Sequence, residues 1–303
     1  MAILTAQDYL TQVQQLVADP TNSNFSQTTL LNFINQARTR VALDTHCYRA
    51  YVPSLNTIAQ QETYAYNAGA IGGTNIISGG ANYSSSTAVN FSGGSGTGAT
   101  GVASITGGVI QNIFMTNWGS GYTPTSLPTI SITDIGGGTG ASATPICLYN
   151  VLDILGMDVL WGTLRINFGY VPFTGFNAYC RAYSNQYETP GIFTLHQGIQ
   201  KAFIYPIPDQ AYVMAWDLIT LPTDLASPSS PETQILAPWN DAVQFYAAFL
   251  ASASLQQYQK AAFWYDGAQG GLYGNRVRQL PATAFSRRIF NPYKTYWPMI
   301  RKI

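Results

Sequence analysis

The chain has 303 residues, which is long enough for a substantial core or for two domains, and it carries no net charge at neutral pH. Charged residues make up only 9% of it, well under the roughly 25% of an ordinary soluble domain, while tyrosine alone occurs 20 times. The sequence contains neither the roughly 18 consecutive apolar residues that cross a bilayer nor a secretion signal. Because interface cores are poor in charge and rich in aromatic rings, this composition favours a subunit of an obligate assembly over a monomer with a merely polar surface.

Two short helices are predicted at the N-terminus. Thr5, with Asp8 three positions later, forms a capping pattern. The apolar residues that follow recur at helical spacing until Pro20, at Tyr9, Leu10, Val13, Leu16 and Val17. A second helix is predicted beyond the turn at 20–24, capped by Ser26 or Thr28, with an apolar stripe at Leu30, Ile34, Ala37 and Val41.

Residues 67–145 differ from the rest of the chain because they are rich in Gly, Ser, Thr and Asn, with short β-type runs. The strand-like flanks, 58–66 and 146–154, indicate a hairpin of a host fold opened at its tip, where insertions are tolerated. A degenerate repeat lies inside, in which Tyr83 corresponds to Tyr122 and residues 96–99 to residues 138–141. The sequence therefore predicts an inserted β-domain of two related units with glycine-rich turns.

Patterns that would mark an enzyme are scarce. Residues 96–101 satisfy the G-x-G-x-x-G pattern of dinucleotide binding, but no helical pattern follows and no acidic residue stands about 20 positions on, so a turn is the better interpretation. The three cysteines form no CxxC pair, and His46 beside Cys47 supplies too few ligands for a metal site. No carboxylate pair or nucleophile–base pair is marked. We therefore predict a protein that is not an enzyme and has no catalytic, cofactor-binding or metal-binding residues.

The segment 201–225, KAFIYPIPDQAYVMAWDLITLPTDL, contains two strand-like runs around a proline-bracketed turn at 206–210. Pro206 and Pro208 lack an amide donor and end the first run, so the pattern predicts a β-hairpin. The second run is apolar on nearly both faces, which is typical of a strand inside a core or an interface. A helix is predicted to open at Pro238, after a polar, proline-rich connection.

This order of elements, together with the opening helix FSQTTLLNFINQARTRVALDT, resembles the head-to-tail adaptor proteins of tailed bacteriophages, the neck proteins that complete the head after DNA packaging. The resemblance covers most of the chain from Thr5 to about Asp266, outside residues 67–145. Within those residues, GSGYTPTSLPTISITDIGGGTGASA is similar to a β-rich repeat of phage structural proteins, which implies structure or adhesion rather than catalysis.

The C-terminal residues 267–303 carry seven basic side chains and no acidic one, so the rest of the chain has 7 basic minus 14 acidic residues, or −7. The simplest interpretation is that this basic segment is only exposed to solvent. A second alternative is that it contacts nucleic acid. Interleaved aromatic residues and prolines favour an extended segment that docks into a groove on a partner. Since adaptors of the resembled family grip the portal with their C-terminal segments, the resemblance implies portal docking by Arg287, Arg288, Phe290, Tyr293, Lys294, Tyr296 and Trp297.

Together these patterns predict an α+β fold with a helical bundle from both chain ends, a central β-region and an inserted Gly-rich repeat β-domain. The predicted divisions are an adaptor body at 1–66 and 146–266, the inserted two-repeat β-domain at 67–145 and the docking tail at 267–303. The resemblance implies a ring of about twelve copies in the virion neck, assembled in the host cytoplasm, that joins the portal to a tail or nozzle protein. Double-stranded DNA would pass through its channel without sequence specificity, and no membrane is involved. The alternative is a phage surface or tail-fibre module that recognises glycans through residues 67–145.

Overall fold

The computed structural model describes residues 4–182, 186–265 and 272–274. Its helices are α1 (Ala6–Val17), α2 (Gln27–Thr45), α3 (Phe173–Tyr179), α4 (Asn240–Ser254), α5 (Tyr258–Tyr265) and a 3-10 turn at Gln197–Ile199. The strands of the first half are β1 (Arg49–Asn56), β2 (Thr63–Ala65), β3 (Ala70–Ala81), β4 (Ala88–Ser92), β5 (Thr97–Thr106), β6 (Val109–Ser120) and β7 (Thr129–Thr133). Those that follow are β8 (Thr139–Leu148), β9 (Val151–Trp161), β10 (Leu164–Asn167), β11 (Gly169–Tyr170), β12 (Ile192–His196), β13 (Lys201–Tyr205) and β14 (Val213–Thr220).

The predicted fold, α+β with a helical bundle from both chain ends, is wrong. Strands account for 40% and helices for 26% of the structure, and the strands form several sheets. The glycine- and serine-rich runs, expected to be short, form long strands such as β3, β6 and β8. On β6, Ile113 and Met115 lie two residues apart and are both buried, so one face of this strand packs inward, and this burial outweighs the low β-propensity of glycine.

Contacts divide the chain into two compact units. The first comprises residues 4–49 and the described residues from 219 onward, and its helices α1, α2, α4 and α5 pack around one apolar core. The two N-terminal helices are confirmed, because the Thr5 amide donates to Asp8 Oδ2 at 2.7 Å and Ser26 Oγ accepts from the Thr29 amide. The helix predicted from Pro238 begins two residues later, at Asn240.

The second unit, Ala50–Leu218, is built on a six-stranded sheet of order β10-β9-β14-β1-β3-β8 and a four-stranded sheet of order β11-β12-β13-β2. The predicted hairpin at 201–225 is wrong, because β13 pairs with β12 and β2 while β14 lies between β9 and β1 in the other sheet. Pro206 and Pro208 cannot donate to a ladder, and Ile207 between them bridges to Tyr187 instead. The expectation that β14 is buried is confirmed, with Trp216 fully enclosed.

The strands of the two predicted repeat copies pair across the copies. Strand β3 of the first copy pairs with β8 of the second, and β6 of the second pairs with β5 of the first in the matching register. The Tyr83 hydroxyl accepts from the Ala141 amide at 3.1 Å, and the Tyr122 hydroxyl accepts from the Ala99 amide at 3.4 Å. A Cβ at Gly138 would clash with the Tyr83 ring. Each of these tyrosine contacts therefore joins one copy to the other, and neither copy is complete alone.

Side chains of residues 67–145 also share the main core of the second unit. Trp118 on β6 is 5% exposed and packs against Tyr64 and Trp216, with ring centroids 4.8 and 5.6 Å away. The buried amide of Asn56 donates to the Met115 carbonyl at 3.0 Å and accepts from the Met115 amide at 2.9 Å. This stretch of the chain is thus fastened to β1 and β14 by both packing and hydrogen bonds.

The flanks of residues 67–145 do not form one opened hairpin, since β2 belongs to the four-stranded sheet and β9 to the six-stranded sheet. Instead, β3 and β8 pair with each other at the entry and exit of the stretch. The division into body, inserted domain and tail stays a prediction.

Replacing Trp118 by Ala is expected to lower the free energy of unfolding of this unit by about 3–5 kcal/mol, because it opens a cavity beside Tyr64 and Trp216. The matched control is Val102→Ala on β5, which is exposed and should change stability by under about 0.5 kcal/mol. Urea unfolding followed by tryptophan fluorescence measures both. Equal stability of the two variants would mean that residues 67–145 fold apart from the core.

Candidate interaction surfaces

The residues predicted to dock on the portal lie outside the described residues, so their role stays a prediction. They are Arg287, Arg288, Phe290, Tyr293, Lys294, Tyr296 and Trp297. The structure does describe several aromatic residues that precede them in the chain. The rings of Phe249 on α4 and Tyr265 on α5 stack with their centroids 4.6 Å apart, and the Tyr273 hydroxyl donates to Asp44 Oδ2 at 2.8 Å.

The residue types that carry most enzyme chemistry are dispersed. Among the described residues, no group of three or more His, Cys, Asp or Glu side chains is placed to hold a metal ion. His46 ends α2, burial raises the pKa of the neighbouring Cys47 thiol, and the His196 ring stands edge-on to Phe173 at 4.7 Å. Five residues of the G-x-G-x-x-G stretch, 97–101, lie in strand β5, so the predicted turn is wrong, and the next element is β6 rather than a helix.

Most charged side chains in the described part of the chain are engaged within the protein. Arg38 on α2 and Glu232 are almost fully buried and form a two-pronged pair, with Nε to Oε2 at 2.6 Å and Nη2 to Oε1 at 3.0 Å. Arg38 also donates to the Thr223 carbonyl at 2.6 Å, and Glu232 accepts from the amides of Gln234 and Ile235. This network fixes the proline-rich connection 222–238 against α2, and it leaves neither charge for an external ligand.

Replacing Arg38 by Ala is expected to cost about 3–5 kcal/mol of unfolding free energy, because the Glu232 carboxylate would stay buried without its partner. Arg40 lies two residues away on the same helix and makes a partly exposed pair with Asp44, so Arg40→Ala is expected to cost only about 0–1 kcal/mol. Chemical denaturation of the two variants gives this difference directly. Similar losses for both would show that burial of the Arg38 pair is not what stabilises the connection.

An apolar surface lies at the tip of the β9–β10 hairpin, which we call the hairpin tip (Leu160, Trp161 and Leu164). Trp161 is 53% and Leu164 57% exposed, and the two residues face each other across the turn. Behind them, Arg165 Nη1 contacts Asp158 Oδ1 at 2.5 Å and the Tyr51 hydroxyl at 2.8 Å. Burial raises the pKa of Asp158, and the Arg165 cation opposes this shift. The two strands next to the tip are therefore held in place by the contacts of Arg165 with Asp158 and Tyr51.

The hairpin tip was not predicted from the sequence. The signal was present, since Leu-Trp-Gly-Thr-Leu places a Gly-x pair between two apolar runs, which is a two-residue hairpin pattern. The pattern does not indicate whether Trp161 and Leu164 are exposed, because another segment of the chain can also bury side chains at such a turn. Only the sheet order, with β10 at an edge, shows that no described strand covers them on that side.

A second surface feature of the same unit is a cavity of about 350 Å³ beside α3 and β13, which we call the Glu62 pocket. Its lining includes Glu62, Asn177, Cys180, Arg181, Tyr205 and Ile207. Arg181 Nε lies 3.0 Å from Glu62 Oε1, and its guanidinium stands 5.6 Å from the Phe203 ring centroid. Burial, with the nearby Glu62 charge, raises the pKa of the Cys180 thiol to about 11, so this cysteine is a neutral, apolar part of the wall.

Comparisons with known proteins add no family assignment. No model of a known protein family matches the chain, and no curated protein matches it. None of the helices in the described residues is long and apolar enough to span a bilayer. The resemblance to phage adaptors therefore rests on the motifs of the sequence alone.

Proposed function

We propose that this protein is a structural subunit of the neck of a tailed bacteriophage. In this proposal it forms a closed ring of about twelve copies that joins the portal to a tail or nozzle protein and extends the channel through which DNA passes. The subunit is not an enzyme, and it assembles in the host cytoplasm before it is built into the virion.

The proposal rests on one combined observation. Charged side chains are scarce and, among the described residues, mostly paired within the protein, while several large apolar side chains are exposed. The hairpin tip exposes Trp161 and Leu164, and the α5 helix exposes Tyr258 and Phe263. Exposed aromatic groups of this kind are typical of binding hot spots. With 9% charged residues, several of them paired internally in the described part of the chain, the surface is suited to burial against neighbouring subunits.

The alternative, a tail-fibre or surface module that binds glycans through residues 67–145, lacks such an observation. Sugar rings stack on exposed aromatic side chains, but Tyr83, Trp118 and Tyr122 of this stretch are buried. The large apolar residues it does expose are the aliphatic Ile77, Val102 and Ile135.

The proposal predicts that the purified protein forms closed rings, alone or with the portal protein of the same phage. Ring closure follows when two different faces of each subunit meet at a fixed rotation. Mass photometry would give the number of copies, and negative-stain images would give the symmetry. A protein that stays monomeric at saturating portal concentration would contradict the proposal, and threefold particles would favour a fibre.

The proposal also predicts that the C-terminal segment binds through its aromatic residues. Tyr293, Tyr296 and Trp297 to Ala should abolish attachment to the portal while all seven basic residues remain, since buried aromatics supply more binding energy than exposed charges. Arg287→Glu with Arg288→Glu is the matched charge variant. Normal portal binding by the alanine variant, with loss of salt-dependent DNA affinity in the charge variant, would instead identify the segment as a nucleic-acid contact.

A further inference from the structure

The hairpin tip is shaped as an anchor. Trp161 and Leu164 flank the two-residue turn at 162–163, where Gly162 adopts φ 61° and a Cβ would meet no other atom within 4 Å. The turn thus stands clear of the rest of the unit. Residues 159–164 contain no charged side chain, and a large aromatic group at such a position is the residue type most enriched in binding hot spots.

The base of the tip holds these side chains in place before any partner binds. Val159 is fully buried and Ile166 packs against the main core, so both strands are fixed below the turn. On the other face, Arg165 joins Asp158 to Tyr51, which ties β10 and β9 to β1. A fixed anchor loses little conformational freedom on binding, and this favours affinity.

The tip supplies the anchor of a contact between two copies and only part of its area. A stable contact buries about 800 Å² on each partner, whereas one Trp and two Leu side chains expose at most a few hundred Å². A protruding aromatic side chain is best enclosed by a concave surface, whereas two tips that meet would leave much of each indole in water. The surface that suits the tip is therefore a pocket that is partly apolar and offers an acceptor for the indole N–H.

The Glu62 pocket of the same unit has these properties. Its walls combine the neutral Cys180, the buried Tyr205 and Ile207 with a carboxylate, and its volume exceeds that of one indole ring. The Glu62–Arg181 pair at its rim offers one charge of each sign to the Asp158–Arg165 pair at the base of the tip. The tip belongs to the six-stranded sheet and the pocket to the four-stranded sheet, so they are distinct surfaces.

We infer that the hairpin tip of one copy inserts Trp161 into the Glu62 pocket of a second copy. This inference deepens the proposed function and rests on it, because a contact between two different surfaces repeats from copy to copy and closes into a ring when the rotation permits. Trp161 fills the pocket, its indole N–H donates to Glu62, and the charged pairs of the two copies meet at the rim.

Two variants test the contact from both sides. Trp161→Ser removes the anchor, and Asn177→Trp, at an exposed position of α3, fills the pocket. Each should raise the dissociation constant of assembly at least about 30-fold under the conditions in which the unaltered protein assembles. Ile135→Ser, which removes an aliphatic side chain that is 93% exposed in residues 67–145, is the matched control and should leave assembly unchanged. Circular dichroism confirms that each variant is folded.

A photocrosslink identifies the partner surface. A benzophenone side chain placed at position 161 should link to a peptide within residues 173–207 of another copy. If the unaltered protein assembles but both variants assemble equally well, or the crosslink forms elsewhere, the inferred contact is overturned while the proposed ring stands. If the unaltered protein never assembles, with or without portal, both the contact and the proposed function fail.

Discussion

The scarcity of charge is the constraint on which the rest of this structure depends. Among the described residues, the few charged groups mainly contact other parts of the same chain, as in the buried Arg38–Glu232 pair and the Arg181–Glu62 pair. Asp134 shows the same use, since its pKa is lowered by hydrogen bonds from the Ser84 side chain and the Gly138 amide that close a loop. Little charge is left to keep the outer surface in water, so apolar side chains exposed there are a cost unless a partner covers them.

The scarcity of charged residues is also evident in residues 67–145. Asp134 is their one charged residue, and it accepts hydrogen bonds from Ser84 in the other repeat copy and from Gly138 in its own loop. Stability instead comes from two repeats that exchange strands and from Trp118, which fills the core between Tyr64 and Trp216. The stretch is therefore both a repeat domain and a part of the main core. A surface of hydroxyl groups and short aliphatic side chains lets neighbouring copies approach without repulsion between like charges.

Features that depend on the spacing of residues along the chain could be predicted from the sequence. The capping residues Thr5 and Ser26 and the apolar stripes gave the two N-terminal helices, and the offset between Tyr83 and Tyr122 gave the repeat. Prediction from the sequence failed where the partner of a strand is distant in the chain. Strands β13 and β14 carry a hairpin pattern but enter different sheets, where β13 pairs with β12 and β2, and β14 lies between β9 and β1. The hairpin tip and the Glu62 pocket were missed for the same reason, since exposure and cavity shape arise only from non-local packing.

The central claim is that apolar, uncharged surfaces hold copies of this chain together. The most direct measurement is the mass of the assembly by analytical ultracentrifugation as sodium chloride rises from about 0.05 to about 1 M, a range over which the screening length falls several-fold. The account predicts that assembly persists or strengthens, because apolar burial is not screened by salt. Dissociation into monomers with rising salt would contradict it, since it would mean that charge, rather than the exposed apolar side chains, joins the subunits.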